Sequence, residues 1–302
     1  MAEPTPFSVV LPAFDEEGGL LATLDELRAV LARGDCPYEI LIVDDGSRDG
    51  TPRILATCHD VTVIRHPQNR GYGAALKTGI LAARHPLVVV MDADGTYAPT
   101  AVPRLVERCA SADMVVGARL GSRVQSDPAR GAVKWCFRQF AQWITGTRIP
   151  DLNSGLRVFR RPVAERCMAL LPDGFSFTTT ITVASLVERL TVAFEVVDYM
   201  PRIGRSKVRP LRDTLRIARQ LLRLGVRLAP LRTALAVAAP LLLVSLGLLV
   251  AHLGRGQALG AAEIVGLALS LLLLALGGAA EQRVRRRRDL AAAEILTSPG
   301  SA

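Results

Sequence analysis

Leu87-Val88-Val89-Val90-Met91-Asp92-Ala93-Asp94-Gly95 is a wholly apolar run that ends on two carboxylates one residue apart. Such a run reads as a strand buried on both faces, the pattern of a parallel sheet covered by helices. Residues i and i+2 of a strand share a face, so Asp92 and Asp94 are expected to project together at the sheet's C-terminal edge. Open α/β sheets bind ligands at that edge. Two hard oxygen donors there suit Mg²⁺ or Mn²⁺ carried in by a nucleotide diphosphate. The plain alternative is a strand closing in an Asp-Gly turn, and the neighbouring segments bear on the choice.

On the N-terminal side, Phe7 to Leu11 reads as a strand that runs into Pro12-Ala13-Phe14-Asp15-Glu16-Glu17, with an amphipathic helix from Leu20 to Ala32. Glu39 to Val43 is a second strand, ending in Asp44-Asp45-Gly46-Ser47, and Val61 to Arg65 is a third. Asn69-Arg70-Gly71-Tyr72-Gly73 makes a glycine-rich turn before a small-residue helix, Ala74 to Arg84. On the other side come a helix, Thr100 to Ala110, and a strand, Asp113 to Ala118. This alternation predicts an α/β domain with a mostly parallel, doubly wound sheet. Strand after strand ends in acidic residues at one expected edge: Glu16, then Asp44 and Asp45, then Asp92 and Asp94. Such groups can accept hydrogen bonds from ribose hydroxyls and base N–H groups. The glycines do not match G-x-G-x-x-G and no P-loop is present, so neither hydride transfer nor ATP hydrolysis is indicated.

The chain has 302 residues, half of them hydrophobic (50%), and a formal net charge of +9, with arginines concentrated in the last third. That asymmetry suggests nucleic acid or an anionic membrane surface. Five scattered cysteines without a C-x-x-C pair argue against a disulfide framework or a zinc site and fit a reducing compartment. Met1 to Pro6 lacks a basic segment followed by an apolar core, so no signal peptide is expected, and the N-terminal domain is expected in the cytoplasm.

Between Gly121 and Pro150, Arg123, Arg130, Lys134, Arg138 and Arg148 are interleaved with Trp135, Phe137, Phe140 and Trp143. This mixture can mark nucleic-acid binding. No nucleic-acid-binding fold accompanies it, and it suits a site mouth at a membrane interface, where Trp is favoured. Arginines at 212, 216, 219, 223 and 227, beside a stripe of Leu211, Leu215, Ala218, Leu222 and Val226, predict a basic amphipathic helix over 208–232 on anionic lipid. Thr233 to Leu253 and Ala258 to Ala280 are each long and apolar enough to cross a bilayer. Arginines flank both outer ends and only Arg255 lies in the turn, so both ends are expected in the cytoplasm. The expected organisation is a catalytic domain over 1–207, the interface helix over 208–232, a transmembrane hairpin over 233–280, and a basic cytoplasmic tail over 281–302.

Val9-Val10-Leu11-Pro12-Ala13-Phe14-Asp15-Glu16-Glu17, Val43-Asp44-Asp45-Gly46-Ser47, Asn69-Arg70-Gly71-Tyr72-Gly73 and Asp92-Ala93-Asp94-Gly95 together resemble the ordered motifs of family 2 glycosyltransferases of the GT-A fold. Val116-Gly117-Ala118-Arg119, the stretch Asp151-Leu152-Asn153-Ser154-Gly155-Leu156-Arg157-Val158-Phe159, and Arg202-Ile203-Gly204-Arg205-Ser206-Lys207 resemble the polyprenyl-phosphate hexose synthases, which include the dolichol-phosphate mannose synthases. The likeness runs in order from about Phe7 to Lys207. It implies inverting transfer of a hexosyl group from a nucleotide sugar, GDP-mannose or UDP-hexose, to a polyprenyl phosphate. Under it, Asp92 and Asp94 hold the metal and donor diphosphate. Pro12, Ala13, Phe14, Glu16, Asp44, Asp45 and Ala93 line the nucleotide pocket, and Arg202 and Lys207 close over the donor phosphates. Arg119 and Arg130 hold the acceptor phosphate; Asp151, Asn153 and Arg157 shape the sugar pocket. Where dolichol-phosphate mannose synthases often carry a metal-contacting Gln two residues after the second Asp, Thr96 stands here. A hydroxyl acceptor, with Asp151 as base, is the alternative; a non-catalytic nucleotide-sugar-binding membrane protein is a third. The sequence leaves a homo-oligomer open.

Overall fold

The computed structural model describes residues 5–120, 128–201, 210–256, 258 and 260–297. The chain divides into two compact units, Met1–Gln142 with Thr147–Gln220, and Trp143–Gly146 with Leu221–Ala302.

The first unit follows the expected alternation: β1 (Phe7–Ala13), α1 (Leu20–Leu31), β2 (Tyr38–Asp44), α2 (Thr51–Ala56), β3 (Thr62–Arg65), α3 (Tyr72–Ala82), β4 (Leu87–Val90), α4 (Val102–Arg108) and β5 (Met114–Ala118). Then come α5 (Pro128–Thr145), β6 (Arg157–Arg160), α6 (Arg161–Cys167), α7 (Phe177–Val187), β7 (Val192–Val196) and α8 (Pro210–Leu228), with α5 from Trp143 and α8 from Leu221 falling in the second unit. The seven strands form one sheet in the order β3-β2-β1-β4-β6-β5-β7. β4 is buried along its whole length, as an apolar run between two helical layers must be. α1 turns Leu20, Thr23, Leu24, Leu27 and Leu31 inward at helical spacing. The four leucines meet Val9, Leu11, Ile42 and Val89 from the sheet and Val102 and Leu105 from α4 in one core. Each fully buried Leu there stabilises the fold by roughly 1.5–3 kcal/mol.

β6 is the element the alternation did not predict. It runs antiparallel to both neighbours, with Val90 opposite Arg157 in β4 and Val116 opposite Arg157 in β5. Because β6 is reversed, the chain that feeds it arrives at the edge where β4 and β5 end. Residues 151–156 are thereby delivered beside the Asp92 loop.

In the second unit, α9 (Pro230–Gly254) and α10 (Ala261–Thr297) form an antiparallel pair. The Leu231 amide donates to Glu281 at one end, and His252 pairs with Glu263 at the other. Small residues set the approach between them: a Cβ at Gly266 would collide with Ser245, and one at Gly277 with Ala234. Both helices are long and apolar enough to cross a membrane. Leu243, Val244, Val250, Leu253, Val265 and Leu271 on their outer faces are exposed, a surface that water does not suit. α10 runs on without a break through the arginines to Thr297, where the sequence reading ended the span at Ala280 and began a tail. Asp289-Leu290-Ala291-Ala292-Ala293-Glu294 contains good helix formers and neither Gly nor Pro, so nothing stops the helix there.

Candidate active site

The C-terminal ends of β1, β2, β4, β5 and β7 and the start of β6 share one edge of the sheet. The loops leaving that edge are tied to one another by their own polar groups. Asp15, at φ 50°, takes the Arg48 amide on Oδ1 at 2.7 Å, and the Asp15 amide donates to Ser47 Oγ at 3.0 Å. The Glu16 amide donates to Thr51 Oγ1 at 2.9 Å, and Glu17 takes the Gly50 amide at 2.6 Å. Pro12, Phe14 and Glu16 remain partly exposed along this rim, while Ala13 is buried.

Asp44 and Asp45, expected from sequence to line a nucleoside pocket, stand at the end of β2 and in the loop after it. Both are buried. Asp44 Oδ1 accepts the Ser47 amide at 2.8 Å, and Arg65 approaches Oδ2 at 3.2 Å. Asp45 Oδ1 accepts the Arg70 amide at 2.9 Å and faces His66 Nδ1 at 2.7 Å; Oδ2 accepts the Gly71 amide at 2.8 Å. The Asp45 carboxylate therefore clamps the glycine-rich turn. That turn needs glycine: Gly71 sits at φ 108°, and a Cβ there would strike the Asp173 carbonyl.

The turn sets Tyr72 at the start of α3. Its hydroxyl donates to Asp92 Oδ1 at 2.9 Å, and its ring stacks on Phe175 at 5.6 Å. Burial, with the Asp92 charge adding to it, holds the Tyr72 phenol well above its usual pKa, so it stays a donor. On the other side of Asp92 lies Gly155, so close that a Cβ would overlap the carboxyl group. Asp94 is 5% exposed, and its Oδ1 accepts both the Thr96 amide at 3.1 Å and the Thr96 hydroxyl at 2.6 Å. Thr96 thus orients Asp94. Ala93, between the two acids, is buried.

Arg119, just past β5, forms a two-point ion pair with Asp151: Nε to Oδ2 at 2.7 Å and Nη2 to Oδ1 at 2.9 Å. Asp151 also accepts the backbone amides of Arg119 and Asn153, both at 3.1 Å. The Arg119 guanidinium lies 5.2 Å from the centre of the Tyr199 ring, which meets Tyr97 edge-on. Burial alone would push the Asp151 carboxyl up, but the hydrogen bonds and charge of Arg119 outweigh it and leave the group below the usual carboxylate range. Asn153 accepts a hydrogen bond from Thr179.

Arg157 is the largest departure. The sequence reading put it in the sugar pocket; the structure buries it completely. Its Nη2 donates to the Ser154 carbonyl, and its Nη1 donates to the Thr178 carbonyl at 3.1 Å and to Thr182 Oγ1 at 3.2 Å. Burial lowers its pKa. It braces the 153–155 segment against α7, beneath Asp92. Arg202 and Lys207 lie outside the described residues, and so does the Arg130 side chain. Tyr72, Tyr97 and Tyr199 were not singled out from sequence; only the position of Tyr72 inside the glycine-rich turn gave a signal.

The family model described as Glycosyl transferase family 2 matches residues 8–168. An undecaprenyl-phosphate 4-deoxy-4-formamido-L-arabinose transferase from Aeromonas hydrophila is 31% identical over 205 residues, 66% of this chain and 62% of that protein. A protein of the same description from Pseudomonas aeruginosa is 35% identical over 170 residues, 54% of this chain and 49% of that one. An undecaprenyl-phosphate mannosyltransferase from Micrococcus luteus is 29% identical, over 66% of this chain and 86% of its own length. The chain thus spans between about half and two thirds of the first two relatives. Glucosyl-3-phosphoglycerate synthase from Mycobacterium tuberculosis, solved with Mn²⁺, uridine diphosphate and glucosyl-3-phosphoglycerate, superposes with a TM-score of 0.55 at 24% identity, covering 72% of this chain and 79% of that one. At that identity the likeness concerns the fold, which is the GT-A arrangement expected from sequence.

Proposed function

The chain belongs to glycosyl transferase family 2, and on that footing we propose that it transfers a hexosyl group from a nucleotide sugar to a polyprenyl phosphate at the cytoplasmic face of a membrane. The observation that carries this reading is the pairing of two chemistries at one sheet edge. Asp92 and Asp94 face a diphosphate-binding role, and the Arg119–Asp151 pair offers an oriented cation beside them, in a chain that also has two apolar helices of spanning length. The relatives named for undecaprenyl phosphate support the acceptor class.

Asp92 and Asp94 would hold Mg²⁺ or Mn²⁺. Among the described residues no cluster of three or more His, Cys, Asp or Glu forms a cage. A pair of carboxylates, completed by diphosphate oxygens and water, fits a hard divalent cation. When bound there, the cation neutralises charge on the departing nucleoside diphosphate. Tyr72 and Thr96 hold the two carboxylates in place. Pro12, Phe14 and Glu16 line the nucleoside, while Asp44 and Asp45 act through the loops they clamp.

Arg119, aimed by Asp151, binds the acceptor phosphate. A phosphate oxygen is already anionic and needs no general base. It attacks the anomeric carbon in line; the bond to the nucleoside diphosphate breaks, the electron pair leaves with the diphosphate, and the centre inverts to a β-linked product. Asp151, held ionised and doubly bonded to Arg119, is suited to positioning rather than proton abstraction. The donor is a nucleotide hexose, GDP-mannose or a UDP-hexose.

The test is a donor screen. Membranes carrying the chain receive labelled GDP-mannose or UDP-hexoses with Mg²⁺ or Mn²⁺ and are extracted with organic solvent. Label should enter an acid-labile lipid fraction with one donor. Label that stays aqueous with every donor overturns the reading.

A further inference from the structure

Asp151 holds the Arg119 guanidinium along one edge. Nε and Nη2 both donate to it, at 2.7 and 2.9 Å, and among the described residues no acceptor takes Nη1. Nη1 is therefore the nitrogen left to meet an incoming anion. A planar fork gripped at one edge can still tilt about that edge, and a tilt displaces Nη1 the most. Whatever lies against the face of the fork decides whether it tilts.

Tyr199 lies there. Cζ of Arg119 stands over its ring, 5.2 Å from the centre. The face of an aromatic ring attracts a guanidinium, more strongly where water is kept away, and the Arg119 side chain is only 21% exposed. Tyr199 is itself held from two directions. On one side β7 pairs with β5 as far as Val196 opposite Ala118, and the Val197 amide donates to the Ala118 carbonyl at 3.0 Å, one residue before Arg119. On the other side Tyr199 forms an antiparallel bridge with Tyr97, and the Met200 amide donates to the Thr96 carbonyl at 2.9 Å. Thr96 is the residue that orients Asp94. The buried Tyr97 ring meets the Tyr199 ring edge-on, with centres 5.3 Å apart. Tyr97 is fixed in turn, because its hydroxyl accepts the Gly155 amide at 2.7 Å and lies 3.2 Å from Ser154 Oγ. The Tyr199 ring is thus wedged between the loop that presents the two carboxylates and the arginine that follows β5.

We propose that Tyr199 is a positioning residue for the acceptor: its ring face, with Asp151 at the edge, holds the Arg119 guanidinium in the plane from which Nη1 reaches the lipid phosphate. No proton moves and no bond changes on Tyr199; its contribution is electrostatic and orientational. Its ties to Thr96 and Tyr97 also hold the acceptor arginine at a set spacing from the Asp94 loop. The role rests on Arg119 being the ligand of the acceptor phosphate.

The full chain in detergent micelles is titrated with undecaprenyl phosphate or undecaprenol, without donor, and bound lipid is read by native mass spectrometry. Position 199 carries Tyr, Phe, Leu, or a phenylalanine with three ring fluorines. The fluorinated ring keeps its shape while its face loses negative charge, so a packing role would not register the change. We expect the unaltered chain and Tyr199→Phe to bind the phosphate within about two-fold of each other, and both to prefer it over the alcohol. The fluorinated ring should weaken phosphate binding about three-fold or more, and Tyr199→Leu about ten-fold. Mn²⁺ affinity, followed by electron paramagnetic resonance, should stay the same in all four. A fluorinated chain that binds like Tyr199→Phe overturns the proposal and leaves the acceptor reading standing. Tyr199→Phe as weak as Tyr199→Leu also overturns it, and assigns the hydroxyl rather than the ring face. A parallel loss of Mn²⁺ affinity overturns it in favour of a general loosening of the site. An unaltered chain that binds the alcohol as well as the phosphate overturns the acceptor reading, and the proposal with it.

Discussion

Arg119 and Asp151, 32 residues apart in sequence, lock together through two parallel hydrogen bonds of 2.7 and 2.9 Å. An Asp in that grip is a poor proton acceptor near neutral pH, which separates two accounts of the acceptor. Asp151→Asn should lower kcat/KM mainly through a higher KM for the lipid acceptor. The shape of the pH profile between about pH 6 and 9 should be unchanged, because no titrating base is lost. Loss of a pH-dependent limb in that variant would assign Asp151 the role of base.

The same pair predicts acid sensitivity. The Asp151 carboxyl is depressed in the folded chain, so its contribution to stability is complete above its unfolded value and is lost as pH falls through the folded one. Below about pH 4 the unaltered chain should lose melting temperature more steeply than Asp151→Asn. Parallel pH curves for the two proteins would contradict this.

Thr96 gives Asp94 Oδ1 two hydrogen bonds. Thr96→Val removes the hydroxyl donor and keeps the shape. Metal affinity should fall by about 10–100-fold, as when a partner that orients a ligand is lost. Mn²⁺ binding followed by electron paramagnetic resonance reads this without turnover, and unchanged affinity would remove Thr96 from the account.

Asp45 is predicted to matter for stability before chemistry. In Asp45→Ala the amides of Arg70 and Gly71 and the His66 ring lose their buried partner. Each such loss costs about 1–3 kcal/mol. The melting temperature in detergent should drop by several degrees, with donor affinity weakened as the turn loosens. A variant that melts like the unaltered chain would show that the turn holds itself.

These positions also show what a one-dimensional reading can see. The apolar run 87–91, the amphipathic spacing of α1 and the first Leu-rich segment are local patterns, and each appears in the structure within a few residues of its expected place. The second Leu-rich segment begins near its place and runs on past its expected end. Strand-end acids were legible as a group, but the buried ones were not told apart from the exposed ones. Asp45 is saturated by partners 21 to 26 residues further on. Arg157 reads as a ligand because Arg is charged; its partners are carbonyls and a hydroxyl on Ser154, Thr178 and Thr182, which only the packing of α7 brings to it. β6 stayed hidden because its four residues begin and end on Arg and show no apolar run. Its reversal is what brings Asp151 and Gly155 to the Asp92 loop.

The most direct test compares two acceptors that differ only in the phosphate. The chain in nanodiscs receives its preferred donor with Mn²⁺ and either undecaprenyl phosphate or undecaprenol. The account predicts a glycosylated lipid from the phosphate alone, lost in Asp94→Asn and much reduced in Arg119→Ala. Glycosylation of the alcohol at a comparable rate would contradict it, since that reaction needs a base the Arg119–Asp151 pair does not leave.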